Sequence, residues 1–377
     1  MRRDRKRYNW MKLVVALAAL ACAACAAPLR RTPKPTPSAV APEARALPVF
    51  AVGRPTVGVA FGGGSARGIA HVGVIRWMEE HRIPIDVAAG TSMGGLVGGA
   101  FASGMDGDEL QTFVTSLNWD ELFGSSTFAY KNIRRKTDAR AYPSRLEFGL
   151  KGGIVPPTAL NSGEQVELLL GRIAAPYFQI EDFDQLPTPF RTVAVDLLSA
   201  QPVVMRQGSL ADAMRATMSL PLIFPPVEVD GQVLIDGGTM NNVPADVVRA
   251  MGADRVVAVN VGDLANRDGV AYTLFGLAGS TLDAMMRAST VRAIASADVV
   301  INVPLREFGS LDWRRGDELI DAGYQAAEAM RAHINGGMHD TMERLKPFFR
   351  IRKVFGRTYF RSEKRQRQQL IDPSAWN

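Results

Sequence analysis

Cysteine is nearly absent from this sequence of 377 residues, because only Cys22 and Cys25 occur and both lie close to the N-terminus. A disulfide framework and a cysteine-ligated zinc site are therefore excluded from the rest of the chain. Histidine is scarce as well, with four residues in total. A catalytic site that uses histidine as its base would have to draw on His71, His81, His333 or His339.

The main part of the chain also lacks an excess of positive charge. The formal net charge is +6, but residues 1–12 hold six basic residues and one acid, and residues 341–377 hold ten basic residues and three acids. The residues between these two ends carry a net charge of −6. Because nucleic-acid binding needs Lys and Arg concentrated on the folded surface, we expect no nucleic-acid partner.

The first 27 residues are typical of a signal peptide. A basic start precedes the apolar, alanine-rich run Leu13–Ala27, which is shorter than the roughly 20 residues of a membrane-spanning helix. Small residues before a cysteine are typical of a bacterial lipoprotein signal, so we expect lipidation at Cys25 or Cys22, with simple secretion as the alternative. Met11 is an alternative start of translation. We expect a protein exported in a bacterium and tethered to a membrane facing the periplasm, or else periplasmic or secreted.

Composition divides the rest of the chain into three parts. Residues 28–54 are rich in proline and lack hydrophobic periodicity, which is typical of an extended tether. Residues 55–262 contain regular apolar runs and are predicted to form the principal domain. Residues 263–377 are expected to form a C-terminal helical extension that ends in a basic tail. Aromatic and basic residues are mixed from Arg344 onward, so the tail is interpreted either as a solvated surface segment or as a contact for anionic lipid headgroups.

Apolar runs of strand length alternate with stretches of helical periodicity in the principal domain. A strand at Thr56–Phe61 and a helix at Ala66–His81 are followed by a strand at Ile85–Ala89 and a helix that ends near Ala102. This repeated unit predicts parallel strands buried under helices on both faces, so the predicted fold class is α/β with a mostly parallel central sheet. Further predictions are strands at Phe190–Leu197 and Arg255–Val261, a hairpin at Val227–Ile235 turned by Asp230-Gly231, a helix at Ser209–Met218, and a cap or loop at Trp119–Pro157.

A serine occupies a strand-to-helix turn in the second unit. Gly90-Thr91-Ser92-Met93-Gly94 matches the pattern G-x-S-x-G, in which a sharp turn exposes the serine at the end of a strand. Gly90 and Gly94 remove side chains that would clash there, and the helix N-terminus favours developing negative charge. Such a pentapeptide also occurs as an ordinary small-residue turn, but its position between strand and helix favours a nucleophile at Ser92.

A glycine-rich turn precedes this serine by 28 residues, counted from Gly64. It reads Gly62-Gly63-Gly64-Ser65-Ala66-Arg67-Gly68 and also joins a strand to a helix. Glycine lets backbone N–H groups converge on one point, which for acyl transfer is the oxyanion. The alternative is a dinucleotide phosphate loop, but neither register places glycine at all three positions of G-x-G-x-x-G. Arg67 is interpreted either as a ligand of a headgroup phosphate or as part of a local ion pair.

Two kinds of residue compete for the role of base toward Ser92. Serine hydrolases usually place an acid and then a histidine after the serine. The four histidines either precede Ser92 or lie beyond the last predicted strand, where His333 and His339 are candidates. Asp236 follows a strand-like run and precedes Gly237-Gly238, where glycines permit a carboxylate to project into a cleft. From the residues alone, Asp236 is either the base or a turn aspartate.

The three motifs and their flanking sequences resemble the patatin-like phospholipase family. GGGSARG, GTSMG and DGG occur in the family's order, and the runs RGIAHVGVIRWMEE, ATMSLPLIFPPVEV and NNVPADVVRAMGADRVVAVNVG agree with it over roughly Val57–Gly262. The resemblance implies a three-layer α/β/α fold with residues 55–262 as the catalytic domain. It also implies a Ser-Asp dyad of Ser92 and Asp236 without histidine, no metal or other cofactor, and an oxyanion hole at Gly63, Gly64 and Ser65.

The activity that the resemblance implies is that of a serine lipid acyl hydrolase acting on phospholipids or other acyl esters at a membrane surface. The chain departs from the family at Ser65, where a third glycine is frequent; a small serine should keep the turn but can shift an oxyanion donor. Other readings stay open, namely a small-ester esterase or thioesterase and a lipid-binding protein with a vestigial site. The motifs specify acyl chemistry and not the alcohol that is released.

Overall fold

The computed structural model describes residues 54–123, 159–264, 272–331 and 334. All of them belong to one of the two compact units into which the chain divides, the unit of residues 45–137 and 158–377. The expected signal peptide, the expected tether apart from Arg54, most of the expected cap and the basic tail lie outside the described residues.

The fold is built on one mixed sheet, of which eight strands are described. They are β1 (Val57–Phe61), β2 (Val87–Gly90), β3 (Phe190–Asp196), β4 (Gln201–Met205), β5 (Val227–Val229), β6 (Gln232–Asp236), β7 (Arg255–Asn260) and β8 (Val299–Asn302). Their order is β5-β6-β3-β2-β1-β7-β8, with β4 paired to β3. Strands β3, β2, β1, β7 and β8 run parallel, whereas β4, β5 and β6 add antiparallel pairings.

Nine α-helices are described, and together with short 3₁₀ turns they connect the strands. They are α1 (Ala70–Glu80), α2 (Met93–Ala102), α3 (Gly107–Ser116), α4 (Trp119–Phe123), α5 (Glu164–Ala174), α6 (Leu210–Thr217), α7 (Ala245–Ala250), α8 (Leu274–Ala293) and α9 (Gly316–Ala329). A 3₁₀ turn at Ser65–Ile69 leads directly into α1. In the part of the chain described, no helix has both the length and the apolar character needed to cross a membrane.

Alternate residues of the central strands face two separate apolar layers. In β1, Val57, Val59 and Phe61 join the larger buried cluster, which contains residues of α1, α2 and α9, while Ala60 joins the smaller cluster, which contains residues of α7. Because side chains alternate between the faces of a strand, the sheet lies between two helical layers. The predicted three-layer α/β/α fold with a mostly parallel central sheet is confirmed.

Helices α1 and α9 meet at two glycines. A Cβ at Gly73 would lie 1.9 Å from the carbonyl oxygen of Ile320, and a Cβ at Gly323 would lie 1.9 Å from that of Ala70. Backbone therefore packs against backbone, and neither position has room for a side chain. This contact fixes α1, which continues from the glycine-rich turn.

The predicted strands agree with the structure within two residues at each end. The hairpin is present, since β5 and β6 pair antiparallel around Asp230 and Gly231, which have φ of 49° and 77°. The sequence patterns do not predict β4 and β8. Strand β8 pairs with β7, so the sheet continues past Gly262 into the region expected to be a helical extension.

Candidate active site

Ser92 lies in the tight turn between β2 and α2. Its backbone has φ 56° and ψ −126°, a sparsely populated conformation that costs a non-glycine residue on the order of 1–3 kcal/mol. The N–H of Ser92 donates to Oγ1 of Thr217 at 3.0 Å, and the Thr217 hydroxyl donates to the carbonyl of Val193. These bonds hold the strained turn and leave Ser92 half-buried at the carboxyl end of β2.

The glycines of the serine motif make this turn possible. A Cβ at Gly90 would lie 2.3 Å from the carbonyl oxygen of Gly94, and a Cβ at Gly94 would lie 2.2 Å from the carbonyl oxygen of Phe61. A larger residue at either position would displace backbone rather than a flexible side chain. At the start of α2, the N–H of Met93 has no hydrogen-bond partner among the described residues, so the helix N-terminus adds positive potential beside Ser92.

Asp236 is completely buried at the end of β6. The N–H of Gly238 donates to its Oδ1 at 2.8 Å, and its own backbone N–H donates to the carbonyl of Ser219 at 3.0 Å. Within the described part of the chain, no donor makes a well-aligned hydrogen bond to Oδ2. The Ser92 hydroxyl is close enough to the carboxyl group to lower its pKa. Oδ2 thus keeps the capacity to accept a proton or a hydrogen bond.

Burial governs the basicity of this carboxylate. Burial raises the pKa of Asp236 from 3.8 to about 6, although the Ser92 hydroxyl and the N–H of Gly238 lower it in part. A base is most effective when its pKa lies near the working pH, so this environment makes Asp236 a stronger base than an exposed aspartate.

The raised pKa of Asp236 predicts a pH dependence of ester hydrolysis. Only the ionised carboxylate can accept the proton, so kcat/KM should fall about tenfold per pH unit below about pH 6 and become constant above about pH 7. The measurement is kcat/KM on a water-soluble ester between about pH 4.5 and 8.5, with tryptophan fluorescence as the control for folding. An inflection near 4, the ordinary value for aspartate, would contradict the prediction.

The glycine-rich turn lies beside the serine. A Cβ at Gly63 would lie 3.0 Å from the Cβ of Ser92. The N–H groups of Gly64 and Ser65 have no hydrogen-bond partners among the described residues, so they are the candidate donors for an oxyanion. Ser65 has φ 52°, a left-handed conformation that glycine adopts without strain.

Gly63 does not fit the oxyanion role expected of it. Its N–H donates to the carbonyl oxygen of Asn242 at 3.0 Å, and the N–H of Gly62 donates to the carbonyl oxygen of Val259 at 3.0 Å. Both groups are thus occupied within the fold. Gly62 and Gly63 fasten the turn to β7 and to the loop that follows Asp236.

Arg67 and Gly68 have structural contacts in the 3₁₀ turn. The Nε of Arg67 donates to the carbonyl oxygen of Phe308 at 2.8 Å, and no ion pair joins Arg67 to another described residue. This hydrogen bond ties the turn to the segment after β8. A Cβ at Gly68 would lie 2.2 Å from Cγ of Met93, so glycine there lets the turn pack on the start of α2.

The loop after Asp236 connects all three motifs. A Cβ at Gly237 would lie 2.2 Å from the carbonyl oxygen of Val193, so glycine lets the loop leave β6 against β3. Farther along, the carbonyl of Asn241 accepts the Thr91 hydroxyl at 2.9 Å, and the carbonyl of Asn242 accepts the N–H of Gly63. The sequence motifs did not point to these asparagines. Their signal is two consecutive asparagines at the head of the apolar run NNVPADVV.

Neither histidine that the structure describes is a base toward Ser92. The ring Nε2 of His71 lies 2.7 Å from the carbonyl oxygen of Gly62, and burial lowers the pKa of His71 to about 4 despite this bond. His71 is therefore neutral, and its ring contacts the backbone of the glycine-rich turn at Gly62. The ring of His81 stacks on that of Trp77. His333 and His339 lie outside the described residues. Within the described ranges, no three His, Cys, Asp or Glu side chains are grouped to hold a metal ion.

This chain is similar to known proteins. The family model described as patatin-like phospholipase matches residues 59–249. Human patatin-like phospholipase domain-containing protein 6 is 28% identical over 305 residues, which cover 73% of this chain and 20% of that protein. An uncharacterized NTE family protein of Mycobacterium tuberculosis is 26% identical over 303 residues, which cover 73% of this chain and 46% of that protein. The chain thus spans about a fifth of the length of the human relative.

One solved structure with a similar fold is that of VipD from Legionella pneumophila. It is 14% identical to this chain, with a TM-score of 0.36, and the alignment covers 74% of this chain and 67% of VipD.

Proposed function

Since this chain belongs to the patatin-like phospholipase family, we propose that it is a serine lipid acyl hydrolase of the phospholipase A type, with Ser92 as nucleophile and Asp236 as base. One observation carries the proposal. A fully buried carboxyl group with a pKa raised to about 6 lies beside a serine that is held in a strained turn at a helix N-terminus. Burial of an ionisable group next to a strained serine is costly for stability, and catalysis accounts for both features.

Acylation begins with proton transfer within the dyad. Oδ2 of Asp236 accepts the hydroxyl proton of Ser92, and Oγ attacks the ester carbonyl carbon. The carbonyl oxygen becomes an oxyanion near the N–H groups of Gly64 and Ser65. The C–O bond to the alcohol then breaks, and the departing alcohol takes the proton from Asp236. Ser92 is left acylated.

Deacylation repeats the same steps with water. Asp236 accepts a proton from a water molecule while the water oxygen attacks the acyl carbon, and the same N–H groups hold the new oxyanion. Ser92 leaves, recovers the proton, and the fatty acid is released. The raised pKa of Asp236 lets one carboxyl group serve as base and acid in both halves, so histidine is not needed.

We further propose that the substrate is a membrane phospholipid and that the protein acts at a membrane surface. The N-terminal pattern supports export in a bacterium, with lipidation at Cys25 or Cys22 as the tether. A tethered enzyme would meet its substrate in the bilayer that holds it. Phosphonate labelling and lipid hydrolysis test the enzymatic part of this proposal.

The test uses the full chain and its Ser92→Ala variant. We expect a fluorophosphonate probe to label the parent protein at Ser92, identified by peptide mass, and to leave the variant unlabelled. The parent should release fatty acid from mixed phospholipid vesicles. A parent that neither reacts with the probe nor hydrolyses vesicles or simple esters would overturn the proposal and favour a lipid-binding protein. Hydrolysis of simple esters alone would restrict the proposal to a small-ester esterase.

A further inference from the structure

The peptide unit that carries the Gly64 N–H is held from its opposite side. The Nδ2 of Asn242 donates to the carbonyl oxygen of Gly63 at 3.3 Å. In a trans peptide the carbonyl and the following N–H point in opposite directions. The Gly64 N–H therefore points away from Asn242.

The preceding peptide unit is held in the same way. The imidazole Nε2 of His71 lies 2.7 Å from the carbonyl oxygen of Gly62, and the N–H of Gly63 donates to the carbonyl oxygen of Asn242 at 3.0 Å. Asn242 thus bonds both the N–H and the carbonyl of Gly63. The peptide between Gly62 and Gly63 and the peptide between Gly63 and Gly64 are therefore both held by hydrogen bonds. The second of them carries the Gly64 N–H and is held by the Asn242 side chain.

Asn242 is itself rigidly placed. Its side chain is buried, with 2% of the residue exposed, and Nδ2 also donates to Oγ1 of Thr290 at 3.0 Å. Its backbone N–H donates to Oγ of Ser289 at 3.2 Å, and the Ser289 hydroxyl donates to the carbonyl of Gly238 at 2.7 Å. Helix α8 therefore joins Asn242 to the turn that bonds Asp236.

We propose that Asn242 is a positioning residue for the oxyanion site, a role that rests on the function proposed above. Its amide N–H holds the Gly63 carbonyl so that the Gly64 N–H is aimed at the carbonyl oxygen of the substrate. Donation to the carbonyl also polarises the peptide and makes its N–H a stronger donor. Because an oxyanion donor acts mainly in the transition state, losing its alignment should lower kcat and leave KM nearly unchanged.

Two substitutions at Asn242 test the proposal in the full chain. Asn242→Leu keeps the branched shape and removes the N–H donor without adding a charge, and Asn242→Ala removes the whole amide. We expect kcat to fall about tenfold to thirtyfold in both, with KM within about twofold, because loss of a whole oxyanion donor costs on the order of 10²–10³ in kcat. Phosphonylation of Ser92 should slow by a similar factor, since the phosphoryl oxygen uses the same donors.

Asn161→Ala is the matched control. Asn161 is a buried asparagine whose amide bonds two backbone groups, the N–H of Gly163 and the carbonyl of Leu122, neither of which belongs to the glycine-rich turn, the serine motif or the loop after Asp236. The Asn161→Ala variant should lower the unfolding midpoint as the Asn242 variants do, but its kcat should stay within about threefold of that of the parent protein. Equal kcat losses in Asn161→Ala and Asn242→Ala would overturn the proposal, because both losses would then reflect stability alone.

A milder variant tests the same role if the Asn242 proteins do not fold. Thr290→Val removes one of the two acceptors that orient Nδ2 of Asn242, so the amide is held less firmly, its bond to the Gly63 carbonyl weakens, and kcat should fall a few-fold at constant KM. An unchanged kcat in Thr290→Val, or a fully active Asn242→Ala, would overturn the role of Asn242 only. A parent protein without hydrolase activity would overturn the proposed function and this role with it.

Discussion

The Asp236→Asn variant is expected to hydrolyse esters with a kcat lower by about 10³- to 10⁴-fold, in line with the loss of a catalytic triad member. Asparagine keeps an oxygen for the N–H of Gly238 but cannot accept the proton of Ser92. The catalytic site has no second base among the described residues that could take over. The measurement is kcat on a water-soluble ester, with the protein concentration determined by absorbance.

The same substitution should leave stability unchanged or higher. The folded pKa of Asp236 is about 6 and the ordinary value is 3.8, so the folded protein holds its proton more tightly than the unfolded chain. Stability therefore declines as pH rises from about 4 to about 6, and the ionised group costs roughly 3 kcal/mol above that range. Asp236→Asn removes this cost, although its amide N–H lacks an acceptor. Near-normal activity in a folded Asp236→Asn protein would exclude the dyad and make His333 and His339 the next candidates.

The Gly323→Ala variant is expected to lose about 2–4 kcal/mol of unfolding free energy, which is at the upper end of the effect of overpacking. The new methyl group would lie 1.9 Å from the carbonyl oxygen of Ala70, so helices α1 and α9 must separate. Urea unfolding followed by tryptophan fluorescence measures the change.

The control is Gly171→Ala in α5. No atom lies within 4 Å of a Cβ at Gly171, so alanine there should gain up to about 1 kcal/mol from its higher helix propensity. Both variants make the same chemical change inside a helix, and only the contact differs. Equal stability of Gly323→Ala and Gly171→Ala would show that α1 and α9 can separate without loss.

The sequence was sufficient for the elements whose signals are local. Strand β1 is an apolar run ended by three glycines, and the hairpin of β5 and β6 is marked by Asp230-Gly231, because only a few residues accept the positive φ of such a turn. The serine motif and Asp236 are candidates from the sequence for the same reason, since each depends on glycines within a few residues. That Ser92 and Asp236 lie close together depends on the fold, and only the resemblance to the family predicted it.

The missed features depend on contacts between distant residues. Whether the Gly63 N–H is free depends on Asn242, which lies 179 residues away in the sequence. No pattern around Gly63 reveals that its N–H is occupied, so sequence analysis assigned it to the oxyanion. Strand β8 is short and only partly buried, and its pairing with β7 is what identifies it as a strand.

The pairing of β2 with β3 has a consequence for where the length of this chain can vary. The two strands are neighbours in the sheet, yet β2 ends at Gly90 and β3 begins at Phe190. Closing a chain segment depends only weakly on its length, with about 0.6 kcal/mol for each doubling. Insertions and deletions outside helices α2 to α5 of this connection can therefore be accommodated without altering the strand register, whereas the buried faces of these helices restrict changes within them. Changes of length at those places leave β2 and β3 paired and Ser92 in its turn.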